Sequence, residues 1–148
     1  MMQALFYRLW GLLPGLGQEL LIFLLAPKVT LGVAAVVMDE QGRVLLVHHT
    51  YRSSPWNFPG GLVERCEQPD AALVREMREE LGLDATVGPL LYADNATQRH
   101  HMSLYYRATV TGAPRYNAEL DDHRYVNFDE LERLMDKPPP PWLRQRPK

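Results

Sequence analysis

From His101 to Val110 apolar and polar positions alternate, with Met102, Leu104, Tyr106, Ala108 and Val110 facing one way and His101, Ser103, Tyr105, Arg107 and Thr109 the other. A period of two predicts a half-buried strand. Val29–Met38 is rich in β-branched residues, and Arg43–His48 is a second apolar run. Asp39-Glu40-Gln41-Gly42 between them supplies turn chemistry, which predicts a β-hairpin with near-continuous burial. Tyr51–Val63, with Pro55, Pro59, Gly60 and Gly61, is expected to be largely loop, while Thr86–Tyr92 and Arg124–Phe128 are expected to be strands. The helical period predicts a helix over Pro69–Leu81, opened by a proline tolerated in the first turn and stopped by Gly82. A last helix is expected over Asp129–Met135, with Asp129 as N-cap and Leu131 and Leu134 facing inward. Strands on both sides of a central helix, followed by a second helix, predict an α/β sandwich with a mixed β-sheet.

The apolar pattern at the N-terminus is of another kind. Leu9–Ala26 is interrupted by Pro14, Gly15, Gly17, Gln18 and Glu19, leaving Leu20–Ala26 as the longest clean run. That is far short of the roughly 20 residues a bilayer span requires. Two short helices, Gln3–Leu13 and Gln18–Leu25, are predicted, docked on the domain or on a second copy of the chain as a homodimer. Contact with a membrane surface and a targeting role are the alternatives. At the other end, Pro138–Pro141 with Lys137, Arg144, Arg146 and Lys148 reads as a frayed, basic, polyproline-like tail, with Trp142 as its anchor. The expected organisation is thus an N-terminal apolar segment over 1–27, a domain over 28–137 and a tail over 138–148.

Composition narrows the picture. In 148 residues, 16 basic and 18 acidic side chains nearly cancel, so a nucleic-acid-binding charge field is not expected and an anionic partner must be gripped locally. A single cysteine, Cys66, excludes an intrachain disulfide framework and suits a reducing, cytoplasmic location.

The central helix carries the candidate chemistry. At about 100° per residue, Ala71, Val74, Met77 and Leu81 form one stripe and Glu76, Glu79 and Glu80 gather on the opposite side. Three carboxylates so close repel one another, and Arg75 offsets only part of that. Mg²⁺ or Mn²⁺ would offset more, because hard divalent cations select carboxylate oxygens. The loop Phe58-Pro59-Gly60-Gly61 lies just upstream, and its glycines permit close backbone approach.

From Gly61 to Leu83 these residues read G-x5-E-x7-R-E-U-x-E-E-x-G-U, where U is bulky and aliphatic. The fixed positions are Gly61, Glu67, Arg75, Glu76, Glu79, Glu80 and Gly82, with Met77 and Leu83 at the aliphatic places. This resembles the Nudix box, and the flanking strands and helix from Thr30 to Met135 resemble the Nudix fold. The resemblance implies metal-dependent hydrolysis of a nucleoside diphosphate linked to another moiety, with Mg²⁺ or Mn²⁺ as cofactor. Glu76, Glu79 and Glu80 would be metal carboxylates, the Gly61 carbonyl a further ligand, and Glu67–Arg75 the ion pair orienting loop against helix. For the proton acceptor, Glu76 stands first and Glu119, in a loop with Asp121 and Asp122, second.

The substrate is implied only as nucleotide-derived. No proline follows the box at the spacing of ADP-ribose hydrolases, where Arg99 stands instead, and no tyrosine occupies positions 99–101 as in dinucleoside-polyphosphate hydrolases. Trp56, Phe58, Tyr105 and Tyr125 are candidates for stacking on a base, and Arg52 and Arg99 for binding phosphate. His48-His49 and His100-His101 suggest a soft-metal site only weakly, because adjacent strand residues point to opposite faces. A non-catalytic nucleotide-binding or regulatory domain of the same fold is the rival expectation.

Overall fold

The computed structural model describes residues 10–26, 28–96, 100–135 and 143. The alternating strand β5 (His101–Thr111) is the centre of one three-stranded sheet, paired in parallel with β1 (Thr30–Val37) and antiparallel with β4 (Asp84–Ala96). β4 runs further than predicted, and its register shifts between Val87 and Tyr92, around Gly88-Pro89. A proline has no N–H for the ladder, so pairing there must step aside. A second sheet places β2 (Val44–His49) between β3 (Trp56–Asn57) and β6 (Leu120–Val126), antiparallel to both.

The predicted hairpin is therefore only half correct. The chain does reverse at Asp39, whose carboxylate accepts the Gln41 and Arg43 N–H groups, and Met38 bridges Val44. Beyond that bridge β1 and β2 part into different sheets. The loop after β3 has taken the edge of β1: Ala35 N–H donates to Pro59 O (2.8 Å), Val33 N–H to Gly61 O (2.9 Å) and Val63 N–H to Leu31 O (2.9 Å). The segment bearing the two glycines is thereby fastened along the core strand.

Two helices cover the two faces of the sheet layer. α1 (Gly15–Leu25) precedes it; α2 (Pro69–Leu81) packs Ala72, Leu73, Met77 and Leu81 against Val33, Ala35, Val37, Leu45 and Val47. α2 has the predicted bounds, with Pro69 in its first turn and Gly82 in the left-handed region (φ 63) at its end. α3 (Phe128–Leu134) packs Leu131 with Val36, Val44, Leu46 and Phe58 on the opposite face. Its cap is Asn127 and not Asp129: the Asn127 carboxamide accepts Glu130 N–H (2.9 Å) while the Glu130 carboxylate accepts Asn127 N–H (3.1 Å). This reciprocal box satisfies two backbone donors, whereas a cap at Asp129 would satisfy one. Leu143 is buried in the same cluster; Trp142 lies outside the described residues.

The docking predicted for the N-terminal segment is not seen within the chain. α1 begins at Gly15, earlier than predicted, and buries none of its residues. The predicted first helix falls largely outside the described residues, and no described helix is long and apolar enough to cross a membrane.

Candidate active site

α2 is rotated relative to the stripe expected from its sequence. Ala71 is exposed and Val74 half-buried, whereas Ala72 and Leu73 are fully buried. Glu80 lies among the buried residues, only 4% exposed. At about 100° per residue, Glu80 and Leu73 share nearly the same direction on the helix. The physical cause is a backbone donor: Gly60 N–H reaches Glu80 Oε2 at 3.1 Å. A carboxylate that meets a fixed amide can leave water at a cost that an unpartnered one could not.

Close approach requires a glycine at position 60 and seats the Glu76 side chain against Gly61. Gly60 has φ 140, and a Cβ there would run into the Val33 carbonyl. A Cβ on Gly61 would occupy the space of the Glu76 carboxylate. The Gly61 carbonyl already accepts one backbone hydrogen bond, from Val33, so one lone pair remains for any other partner.

Arg75 ties loop to helix. Its Nε and Nη2 donate to the two oxygens of Glu67 (2.9 and 3.0 Å), Nη2 also to Leu62 O (3.0 Å), and Nη1 to Glu76 (2.9 Å) and Glu79 (3.1 Å). Glu67 in turn accepts Glu64 N–H at 2.9 Å. The Arg75 hydrogen bonds, above all, hold the Glu67 carboxyl below its ordinary pKa. The expected pair is present, and the fork extends to two of the three helix glutamates.

Glu119 reaches the site by a backbone route. Arg115 N–H donates to Leu81 O (2.7 Å) and Asn117 N–H to Glu80 O (3.3 Å), so the loop before β6 caps the open carbonyls at the end of α2. The Asn117 side chain then accepts Glu119 N–H at 2.9 Å. Burial pushes Glu80 up to about 7, against the Gly60 N–H, and the charges of Glu76 and Glu119 push it the same way while Arg52 opposes them. Burial also raises Glu76, with Arg75 pulling back and Glu79 and Glu119 adding to the rise. Glu76, Glu80, Glu119 and Arg52 are thus close enough to perturb one another.

These groups fit a hard cation in their chemistry: carboxylate oxygens, one spare carbonyl lone pair, and a glycine cradle under Glu76. Among the described residues no three acidic, histidine or cysteine side chains are already drawn to a single point. The guanidinium explains why, because Arg75 Nη1 bridges Glu76 and Glu79 and supplies the positive charge between them.

The remaining candidates divide. Arg52 is exposed, donates to the Tyr51 hydroxyl, and lies within electrostatic reach of Glu80. Trp56, Phe58 and Tyr105 all belong to the α3 face. Trp56 meets His48 edge-on at 5.0 Å and carries Arg124 over its ring at 4.8 Å. Phe58 is 3% exposed and abuts Tyr105 at 5.7 Å, which leaves it no free face for a base. Tyr125 is not brought to the glutamates: it pairs with Leu45 near Asp39, about 13 Å along β2 from His49 at the strand rise of an extended chain. Arg99 lies outside the described residues. Asp121 and Asp122 belong to β6, where Asp121 pairs with His48 Nδ1 (2.6 Å) and Asp122 with Arg124 (3.1 Å). His48 and His49 do point to opposite faces: His48 meets Asp121 and Trp56, whereas His49 is 1% exposed and stands edge-on to Tyr51. The phase of β2 places it inward, since Leu45, Val47 and His49 share one face of the strand.

A family model of the NUDIX domain matches residues 28–145. Over 59 residues the chain is 46% identical to a CTP pyrophosphohydrolase of Escherichia coli (strain K12), a match covering 38% of this chain and 44% of that protein, less than half of its length. It is 30% identical over 110 residues to a MutT-like protein of Streptomyces ambofaciens, covering 74% of this chain and 71% of that one. The solution structure of the E. coli ORF135 protein superposes with a TM-score of 0.62 at 27% identity, over 79% of this chain and 87% of that chain. With the box running from the glycine loop through α2 to Leu83 and a domain model covering most of its length, the chain belongs to the Nudix family.

Proposed function

We propose that this chain is a divalent-metal-dependent pyrophosphohydrolase that cleaves the diphosphate linkage of a nucleoside diphosphate derivative. The observation that carries the reading is the buried Glu80, held by the Gly60 N–H on the same helix as Glu76 and Glu79 and faced by Glu119. So much acid around a buried position opposes folding, and a site for cations explains why it is there.

Glu76, Glu79 and Glu80, with the free lone pair of the Gly61 carbonyl, would hold Mg²⁺ or Mn²⁺. When bound, such an ion neutralises diphosphate oxygens and makes water a stronger acid. Arg75 keeps the helix and the 59–63 loop in one orientation, so the carboxylates stand pre-organised. Arg52 brings positive charge to a rim otherwise acidic. Glu119 is the favoured proton acceptor: it is exposed, and Glu76, the other candidate, is engaged by Arg75 and lodged over Gly61. Trp56 and Tyr105, with Tyr92 6.2 Å from Tyr105, offer aromatic surface to a base. The domain over residues 28–137, cytoplasmic location and dimerisation through the apolar α1 complete the proposal. Vesicle binding by α1 is the rival that sedimentation and liposome flotation distinguish.

The test is a panel of CTP and other (d)NTPs, nucleotide sugars, ADP-ribose and dinucleoside polyphosphates, with Mg²⁺ or Mn²⁺ and detection of released phosphate or diphosphate. Turnover of one class supports the reading. Nucleotide binding without turnover of any compound would favour a regulatory domain instead.

A further inference from the structure

Glu119 stands on no helix or strand, its side chain is exposed, and its charge reaches both Glu76 and Glu80. A proton acceptor in such a place depends on its backbone for aim, because a carboxylate displaced by about 1 Å loses much of its catalytic value. The hydrogen bonds that hold Glu119 run through its main chain. Its N–H donates to the Asn117 carboxamide oxygen at 2.9 Å, and its carbonyl accepts the Thr50 N–H at 2.9 Å and the Thr50 hydroxyl at 3.2 Å.

The residues on either side of Glu119 are tied to α2. Upstream, the Asn117 N–H donates to Glu80 O at 3.3 Å, and Asn117 is half-buried in a loop whose other residues from Gly112 to Glu119 are exposed. Downstream, the β2–β6 register slips: His48 pairs with Asp122 but His49 pairs with Leu120, so Asp121 is passed over. An extra residue of this kind reverses the phase of the strand end. Leu120 thereby turns into the core cluster that holds Leu73, Met77 and Leu81 of α2, and is 3% exposed. Asn117 uses two different groups. Its main-chain N–H caps a carbonyl of α2, which any residue but proline would do. Its side chain reaches forward two residues to receive Glu119, which an alanine could not do.

We propose that Asn117 is a positioning residue for the proton acceptor: its carboxamide oxygen ties Glu119 to the last turn of α2 and so fixes where the acid stands relative to Glu76 and Glu80. In this role it touches neither substrate nor metal and acts only through Glu119. The inference rests on the pyrophosphohydrolase reading for the reaction that Glu119 serves.

The experiment uses the full chain and compares wild type with Asn117→Ala and Asn117→Ser, each also in a Glu119→Gln background. Four quantities are read: kcat and KM on the panel compound that the wild type hydrolyses, affinity for Mn²⁺ alone by calorimetry, and the exchange rate of the Glu119 amide by NMR. Asn117→Ala is expected to lower kcat at least about tenfold while KM and Mn²⁺ affinity stay within about threefold. Asn117→Ser, whose hydroxyl can accept the same N–H, should recover most of that loss. In the Glu119→Gln background Asn117→Ala should cost nothing further, because the effect of one residue passes through the other. Wild-type kcat in Asn117→Ala, an equal fall in Mn²⁺ affinity, or the same fold-loss with and without Glu119→Gln would each overturn the inference. Amide exchange separates it from the hydrolase reading. If the wild type turns over no panel compound, that reading falls, while a Glu119 N–H exchanging at least about fivefold faster in Asn117→Ala keeps Asn117 as the residue that fixes Glu119. Equal exchange in the two proteins would overturn the inference whatever the turnover.

Discussion

α1 and α2 are helices of 11 and 13 residues that break the inside-out rule in opposite senses. α2 buries a carboxylate, Glu80. α1 leaves Leu16 83%, Phe23 64% and Leu25 74% exposed and buries nothing. The two departures do not cost alike. An exposed leucine forgoes stabilisation it might have had, whereas a buried charge without partners actively opposes folding by several kcal/mol. Accordingly the rest of the fold is arranged around Glu80: the Gly60 amide meets it, Arg75 holds its neighbours, and the loop carrying Asn117 and Glu119 docks on its turn. Around α1 the described contacts are local: Gln18 donates to Trp10 O (2.9 Å) and Leu13 O (3.2 Å), and Lys28 stands over the Phe23 ring at 4.5 Å. A residue misplaced by the ordinary rule signals chemistry when other parts of the molecule have been shaped to receive it.

The contrast is sharpest at Glu80. Glu80→Gln keeps an acceptor for the Gly60 amide while removing the charge, so kcat is expected to fall by about 10² or more with no loss in melting temperature. Steady-state kinetics beside a thermal melt checks both halves, and a loss under threefold would end the assignment. Arg75→Lys comes next. One ammonium cannot span Glu67, Glu76, Glu79 and Leu62 O, so a stability loss of about 1–2 kcal/mol in denaturant unfolding and a roughly tenfold drop in turnover are expected.

The pH dependence follows from two opposite shifts. Glu80 sits at about 7 against an ordinary 4.5, so burial favours its protonated form; that stabilisation is whole below pH 4.5 and lost as pH rises through 7. Glu67 lies below 4.5, so its contribution is present above that pH and lost as the pH falls through its lowered value. Metal-free protein should therefore lose stability between about pH 4.5 and 7 on Glu80's account, and denaturant melts of Glu80→Gln should show a flatter slope over that window. The smallest effect belongs to α1. Leu16→Gln with Phe23→Gln should change the unfolding free energy of the domain by less than about 0.5 kcal/mol, because neither side chain leaves a packed position. A larger change measured on monomeric protein would show that α1 is packed on the domain after all.

Much of the site was legible in the sequence. The bounds of α2 follow from the proline that opens it and the glycine that ends it, and the Glu67–Arg75 pair from the box in which both stand. The rotation of α2 was not legible. Counting apolar positions placed Glu80 opposite the core, and nothing within α2 announces that an amide from residue 60 will meet it. The hairpin failed for the same kind of reason, since the edge of β1 was claimed by Pro59, Gly61 and Val63 from beyond the turn. The cap of α3 was misread by two residues because Asp129 and Asn127 are both good caps and only the reciprocal bond with Glu130 separates them.

By itself, the order of residues determined what depends on near neighbours along the chain: helix ends, alternation in β5, and a run of acids one turn apart. Those features arise from backbone sterics and from side chains three or four places away. Tertiary structure alone decided which acid is buried, that Arg75 bridges two of its neighbours, and that the His49 ring is buried without a hydrogen-bond partner among the described residues. Burial and charge environment are set by groups distant in sequence, and no local pattern encodes which of them will arrive.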